Sequence, residues 1–277
     1  MKERLFSVDG HQLAALEYGS EFSSLAVAIH GWLDNAASFW RLSQHLQCRI
    51  IALDLPGHGN SDWLADGYTI WRHAEIVCAF VQQYCEVAPH LIGHSLGGGI
   101  CSMVAGTLGE QIASLTLIDS IGPMTTEGVL AAETFQRYVR SKASKARFAR
   151  YDDEQQALAS RLRHGAGITP AALLPIVRRG LRADANGVSW KMDPRLKQPS
   201  PVRLTPTMLE SFLSSIQVPV LAARARDGLY DADTFERLAG YIPDCRILVT
   251  DGHHHFHLED DGCKALSPAI QQLTGIQ

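Results

Sequence analysis

The stretch Gly93-His94-Ser95-Leu96-Gly97 follows a short apolar run, 90–92, and precedes a helical pattern that continues to Leu108. A strand that turns at once into a helix holds the central residue in a strained backbone conformation, and glycine neighbours remove the clashes that this turn causes. A G-x-S-x-G pentapeptide between a strand and a helix is typical of a nucleophile elbow, in which the serine Oγ projects at the N-terminus of the helix. We therefore predict that Ser95 is a nucleophile; the alternative interpretation is a glycine-rich turn without chemistry.

On both sides of this turn, short apolar runs alternate with helical patterns. The apolar runs lie at 25–29, 49–53, 90–92, 115–118, 218–222 and 246–249. Apolar residues spaced three and four apart predict helices over 71–85 and 100–108. Runs of this kind fit strands that are buried on both faces, so the alternation predicts an α/β fold with a mostly parallel, twisted sheet and helices on both faces. Two further strands, 5–8 and 12–18, flank the hairpin turn signal Asp9-Gly10.

The alternation of strands and helices is interrupted in the middle of the chain, where the pattern is mostly helical. We therefore predict a helical cap or lid at 123–212, inserted into a core domain made of 1–122 and 213–277. Between positions 120 and 215 the chain carries 15 Lys or Arg and 8 Asp or Glu, although the whole chain has a net charge of −4. This basic segment is either a solvated surface that docks on the core or a feature that attracts anionic substrates.

The composition is that of an ordinary globular protein: of 277 residues, 46% are apolar and 19% are charged. A net charge of −4 gives no reason to expect nucleic-acid binding, which is typical of basic proteins. The sequence shows neither an apolar run of about 18 residues, as a transmembrane helix needs, nor the features of a signal peptide. Six scattered cysteines without a C-x-x-C pair indicate reduced, packed thiols. We therefore expect a cytoplasmic monomer or homodimer that binds a small molecule and neither membranes nor nucleic acids.

A second motif, His30-Gly31-Trp32, directly follows the apolar run at 25–29. A serine that attacks a carbonyl group needs two N–H donors aimed at the developing oxyanion. The residue after the nucleophile is one source of such a donor, and the loop after the third strand is the other. We therefore predict an oxyanion hole formed by the backbone N–H groups of Leu96 and Trp32. We interpret the side chain of His30 as structural.

A histidine cluster follows the last apolar run, in the sequence Asp251-Gly252-His253-His254-His255-Phe256-His257. A serine hydroxyl is a weak nucleophile that needs an adjacent base, and histidine is suited to this task near neutral pH. Four histidines within five residues are therefore candidates. Imidazole clusters also bind zinc, but no other metal-ligand spacing such as H-E-x-x-H accompanies this one, so we expect no metal.

The histidine must in turn be oriented by an acid. Asp227 lies in a loop after a predicted strand, and it gives the chain order serine, acid, histidine that is typical of this arrangement. The rival is Asp119, at the end of the apolar run 115–118. Both aspartates would reach the same edge of the sheet. We prefer Asp227 and keep Asp119 as the alternative acid.

With these residues assembled, the chain resembles the α/β-hydrolase superfamily over nearly its full length, and most of all the subgroup of serine hydrolase-like proteins, alongside general esterases and C–C bond hydrolases. The matching landmarks are 30–32, 54–61 (DLPGHGNS), 93–97, Asp227 and the final histidine cluster. The resemblance implies that His254 is the base, because the family places a second histidine three residues later, then an apolar residue and Glu, as in His257-Leu258-Glu259. Many relatives have Gly two residues before the acid, where this chain has Ala225, and this departure keeps Asp119 open.

The resemblance also concerns the predicted lid and the substrate pocket. The segment 190–196 resembles one that closes the lid in this group, and it would lie over Ser95. His30, His94 and Trp190 are therefore candidate pocket residues, although Trp190 fits a place in the core of the lid equally well. We interpret the loop 54–61 as a tight turn without a catalytic role.

Together these residues predict hydrolysis of a small or medium carboxylic ester through an acyl-enzyme, without a cofactor. The same residues fit cleavage of a C–C bond, an amide or a thioester, and the sequence does not separate these alternatives. A ligand receptor that has kept the pocket without turnover is a third hypothesis. Haloalkane dehalogenases and epoxide hydrolases of this fold carry Asp at the elbow, so Ser95 argues against both.

Overall fold

The structure of this protein, a computed structural model, describes residues 1–142, 149–163 and 167–275. The main sheet contains β1 (Lys2–Val8), β2 (His11–Tyr18), β3 (Leu25–Ile29), β4 (Arg49–Leu53), β5 (His90–His94), β6 (Ser114–Ile118), β10 (Val220–Asp227) and β11 (Cys245–His253). A small sheet contains β7 (Arg150–Tyr151), β8 (Leu181–Asp184) and β9 (Gly187–Trp190). The helices are α1 (Ile70–Tyr84), α2 (Leu96–Leu108), α3 (Ala131–Lys142), α4 (Glu154–Leu162), α5 (Pro170–Gly180), α6 (Pro206–Ser214), α7 (Ala232–Ala239) and α8 (Asp260–Thr274). Each helix in the described part of the chain is too short or too polar to span a bilayer.

The main sheet has the strand order β1-β2-β4-β3-β5-β6-β10-β11. β1 pairs antiparallel with β2, and β2 with β4. All other neighbours pair in parallel. The prediction of a mostly parallel sheet is therefore confirmed, and the crossover helices that parallel pairing requires cover it.

The central strand β3 shows how the sheet is buried on both faces. All five of its residues are buried. Leu25, Val27 and Ile29 belong to one hydrophobic cluster, whereas Ala26 and Ala28 belong to the other. Since successive side chains of a strand point to opposite faces, these two clusters lie on the two sides of the sheet. The continuous apolar run in the sequence is the direct consequence of this double burial.

The segment between β6 and β10 differs from the mostly helical pattern that the sequence predicts. Besides α3 to α6 it contains the small antiparallel sheet, in which β9 pairs with both β7 and β8. Ala185 and Asn186 connect β8 to β9, and Gly187, the first residue of β9, has a φ of 103° that favours glycine. Asn-Gly is a hairpin signal, so the sequence did carry an indication of this sheet.

Two arginines attach this segment to the main sheet. Arg179 of α5 donates to the fully buried carboxylate of Asp54 at 2.7 Å and to Glu3 at 2.7 Å. Arg161 of α4 donates to the buried carboxylate of Asp34, also at 2.7 Å. Buried carboxylates are tolerated when they are paired in this way. The 54–61 loop thus has a structural task, because Asp54 also accepts a hydrogen bond from the backbone N–H of Ala36 at 2.7 Å.

The fold brings four candidate side chains to one edge of the sheet. Ser95 directly follows β5, Asp119 follows β6, Asp227 ends β10, and His254 follows β11. These four strands are consecutive neighbours in the sheet, and they all run in parallel. The carboxyl ends of parallel strands meet at one edge, where open α/β sheets bind their ligands.

Candidate active site

Ser95 lies in the strained turn between β5 and α2. Its backbone has φ 53° and ψ −118°, a conformation that non-glycine residues rarely adopt. The surrounding backbone holds it there: its N–H donates to the carbonyl of Ile118 at 3.2 Å, and its carbonyl accepts from Ser120 Oγ at 2.7 Å. A side chain at Gly97 would meet the carbonyl of Ile29, so only glycine allows α2 to approach β3 this closely. Strain that is maintained by its surroundings is typical of functional sites.

The imidazole of His254 is bound to the carboxylate of Asp119. The distance from Nδ1 to Oδ2 is 2.7 Å, and Asp119 is completely buried. An ionised carboxylate only accepts hydrogen bonds, so Nδ1 carries a proton, and in the neutral imidazole the lone pair then lies on Nε2. Asp119 also accepts the backbone N–H groups of Ala225 at 3.0 Å and Leu229 at 2.8 Å. These bonds fix the carboxylate, and through it the imidazole, in one orientation.

The structure corrects the preference for Asp227 as the partner of the histidine. Asp227 is exposed at the end of β10, where its Cα pairs with His253 across a register irregularity. The loop after Asp227 packs against Asp119 instead. A side chain at Gly228 would collide with the Asp119 carboxylate, and the N–H of Leu229 donates to that carboxylate. Asp227-Gly228 thus belong to a loop that packs against the Asp119 carboxylate, whereas the Asp227 side chain itself is exposed.

Leu96 and Trp32, which are predicted to supply the oxyanion donors, line the same cavity as Ser95. Leu96 is the first residue of α2, and the first N–H groups of a helix have no partner within it. Gly31, directly before Trp32, is so close to the elbow that a Cβ placed there would lie 3.2 Å from the Cβ of Ser95. The Trp32 side chain is half exposed, and its Nε1 donates to the carbonyl of Leu196 at 2.9 Å.

The three candidate pocket residues His30, His94 and Trp190 are buried and lie outside the wall of the main cavity. His30 donates from Nδ1 to the carbonyl of Gly31 at 2.8 Å and accepts from the N–H of Leu55 at 3.0 Å, which is the structural role that the sequence predicted for it. Trp190 packs within the hydrophobic cluster on one face of the sheet. The expectation that these side chains line the pocket is therefore corrected, because each is already engaged in the interior.

A cavity of about 510 Å³ opens over Ser95. Its wall is built from the elbow, Trp32, the segment 68–70, the loops 122–124 and 229–230, and the segment 196–203. Most of these side chains are apolar or aromatic, with Tyr68 and Tyr230 among them. Most of this lining could not be predicted from the sequence, because its residues share no motif and meet only when the segment between β6 and β10 packs against the sheet.

Four histidines are packed together beside the elbow. The ring of His94 lies with its centre 4.7 Å from that of His254, 5.1 Å from that of His255 and 4.0 Å from that of His257. Burial, with a smaller contribution from the neighbouring imidazoles, lowers the pKa of His94 and of His257 well below the usual value. Burial also lowers the pKa of His255 to about 4. One ring nitrogen each of His94, His254 and His255 lies within 4.8 Å of the others, so these three residues could hold a metal ion.

Comparisons with known proteins identify the fold family. A family model described as the alpha/beta hydrolase fold matches residues 27–261. A serine hydrolase-like protein of Dictyostelium discoideum is 27% identical over 91% of this chain and 76% of its own length. A serine hydrolase-like protein of Danio rerio is 23% identical over 90% and 81%. The crystal structure of a hypothetical protein from Pseudomonas aeruginosa PAO1 has a TM-score of 0.92 and 31% identity, covering 99% of this chain and 100% of that one.

Proposed function

Because this chain belongs to the family with the alpha/beta hydrolase fold, we propose that it hydrolyses a carboxylic ester of small or medium size through an acyl-enzyme on Ser95. One observation carries the proposal: the 2.7 Å hydrogen bond between His254 Nδ1 and the buried Asp119, at the same sheet edge as the strained Ser95 turn. A histidine whose Nδ1–H is held by a carboxylate presents its Nε2 lone pair as a general base.

The proposed reaction follows from these roles. Ser95 Oγ attacks the ester carbonyl carbon while His254 Nε2 accepts the hydroxyl proton, and Asp119 stabilises the imidazolium. The tetrahedral oxyanion receives hydrogen bonds from the backbone N–H groups of Leu96 and Trp32. The C–O bond then breaks, and the alcohol leaves with the proton from His254. A water molecule then attacks the acyl-enzyme while His254 accepts its proton, and this step releases the acid and restores Ser95.

The size and the lining of the cavity support a small or medium substrate. Its volume of about 510 Å³ falls within the range of about 300–1,000 Å³ that is typical of small-molecule sites. Leu196, Val202 and Met124 give its wall an apolar character that suits an acyl or alcohol chain. Two of these residues lie in the segment 190–203, which supports the proposal that 123–212 acts as a lid over Ser95.

The experiment that tests the function is a comparison of substrate classes with identified products. We expect turnover of p-nitrophenyl acetate and p-nitrophenyl butyrate. If deacylation is slower than acylation, an initial burst should release one p-nitrophenol per chain. Matched amides, thioesters and vinylogous diketones serve as controls. Turnover of a diketone or thioester with no ester hydrolysis would replace the proposed substrate class, and tight ligand binding without any turnover would favour a receptor.

A second, smaller cavity next to the main one supports the proposal that the substrate carries an anionic group. It has a volume of about 160 Å³, is mainly polar, and shares Pro199, Ser200 and Arg203 with the main cavity. Arg137 lines it as well. Arg137 is paired with Glu133 at 2.9 Å, whereas Arg203 forms no ion pair with any residue that the structure describes. We infer that Arg203 receives a carboxylate or phosphate group of the substrate, away from the scissile bond.

Arg203→Ala is therefore expected to lower kcat/KM about 5-fold for an ester with a terminal carboxylate, which corresponds to about 1 kcal/mol for a partly exposed ion pair. A neutral ester of the same length should change by less than about 2-fold, since it makes no such pair. The matched control is Arg237→Ala, which removes an exposed arginine on α7, outside both cavities. Equal responses of the two esters to Arg203→Ala, or to added salt, would rule out the anion subsite.

A further inference from the structure

The proposed hydrolysis leaves part of the histidine cluster unexplained. It uses His254 as the base, but it assigns no task to His94 or His255. His255 is also an addition to the family pattern, which the sequence matches with His254 and His257 alone. In the structure one ring nitrogen from each of His94, His254 and His255 lies within 4.8 Å of the other two.

The hydrogen bonds around the cluster leave a lone pair free on two of these rings. His254 donates its Nδ1–H to Asp119 at 2.7 Å, so in the neutral imidazole the lone pair lies on Nε2. His94 has Nε2 3.0 Å from the backbone carbonyl of His254. A carbonyl oxygen only accepts, so that nitrogen carries the proton and Nδ1 does not. His94 Nδ1 is completely buried and has no hydrogen-bond partner among the described residues. An imidazole that donates one N–H to a carboxylate or a carbonyl is the usual state of a metal-ligating histidine.

The electrostatic surroundings of the cluster favour a cation. The buried carboxylate of Asp119 lies behind His254, and that of Asp34 lies 4.0 Å from His255 Nε2. Arg161 neutralises only one of these two charges, through its ion pair with Asp34.

We propose that His94, His254 and His255 bind a divalent transition-metal ion such as Zn²⁺, and that the ion inhibits the enzyme by occupying His254 Nε2. Zinc–nitrogen bonds of about 2.0–2.1 Å require the three nitrogens to approach one another more closely than they do here. His254 and His255 are both partly exposed, and they follow each other in one turn, so small side-chain rotations suffice. From the sequence we expected no metal at the histidine cluster; the proposal departs from that expectation because of the arrangement of the three rings. The ion is not a cofactor, because a metal at this site removes the base.

The binding of the metal is tested without reference to activity. Equilibrium dialysis with Zn²⁺ at pH 7.5 is expected to show one ion per chain in the wild type. His255→Phe keeps the ring volume but removes a ligand, and it should weaken binding at least about 10-fold. The matched control is His253→Asn, whose side-chain oxygen can still accept the backbone N–H of His255; it should bind within about 2-fold of the wild type. Thermal unfolding verifies that each variant is folded.

Inhibition rests on the proposed function and is measured separately, as the loss of ester hydrolysis relative to each variant's own metal-free rate. The Zn²⁺ concentration that halves the rate should rise at least about 10-fold in His255→Phe and stay unchanged in His253→Asn. Equal Zn²⁺ affinity of the wild type and His255→Phe would overturn the site. Zinc binding that depends on His255 in a protein without any hydrolase activity would keep the site and refute the proposed function.

Discussion

Replacing Ser95 with alanine is expected to lower kcat for ester hydrolysis by about 10⁶-fold, the loss that follows removal of the nucleophile in a serine protease. The physical reason is that the acyl-enzyme requires an Oγ that no other group supplies at the elbow. The measurement is steady-state hydrolysis of a p-nitrophenyl ester, together with the intact mass after treatment with a fluorophosphonate. One adduct is expected on the wild type and none on Ser95→Ala.

The matched control for this experiment is Ser120→Ala. Ser120 lines the same cavity, and its hydroxyl bonds the backbone of Ser95, so it is the alternative serine that a probe could reach. We expect Ser120→Ala to keep the adduct. An adduct that persists in Ser95→Ala and disappears in Ser120→Ala would move the nucleophile to Ser120. A folded wild type that never forms an adduct would leave the receptor hypothesis as the better account.

The second large effect distinguishes the two aspartates. Asp119→Asn is expected to lower kcat by about 10⁴-fold, because the amide no longer holds the histidine in the required tautomer or stabilises the imidazolium. Asparagine is chosen since its oxygen can still accept one of the backbone N–H groups of Ala225 and Leu229, which bond the carboxylate in the wild type. Asp227→Asn should retain activity within about 2-fold, since surface substitutions away from such contacts have small effects.

Steady-state kinetics on both variants, with thermal unfolding as a check that they fold, decides between them. A large loss in Asp227→Asn with normal activity in Asp119→Asn would show that the chain order of the sequence motif, and not the hydrogen bond to His254, identifies the acid. Comparable losses in both would mean that the loop 227–229 must keep its charge to support Asp119.

The elbow and the buried strands could be predicted from the sequence because each leaves a pattern in residues that are neighbours along the chain. Glycine at 93 is a local requirement of the elbow, since a Cβ there would meet the backbone of Gly97 and Gly98, whereas glycine at 97 is required by the carbonyl of Ile29 on β3. The buried strands were readable for a similar reason. A strand covered on both faces must be apolar throughout, as β3 is. The small sheet with β8 and β9 was not predicted, because the Asn186-Gly187 dipeptide was its only sequence signal in a segment whose pattern is otherwise helical.

The sequence by itself determined the fold family, the strained turn at Ser95 and the position of the histidine cluster, because each depends on residues that are neighbours along the chain. Only the tertiary structure decided which carboxylate meets His254. That choice depends on two N–H groups, from Ala225 on β10 and from Leu229 in the loop after it, which bond Asp119 although they lie more than one hundred residues away along the chain. The tertiary structure alone also decided the cavity and the arrangement of the three histidines proposed to bind a metal, since both arise from packing between segments that are distant in sequence.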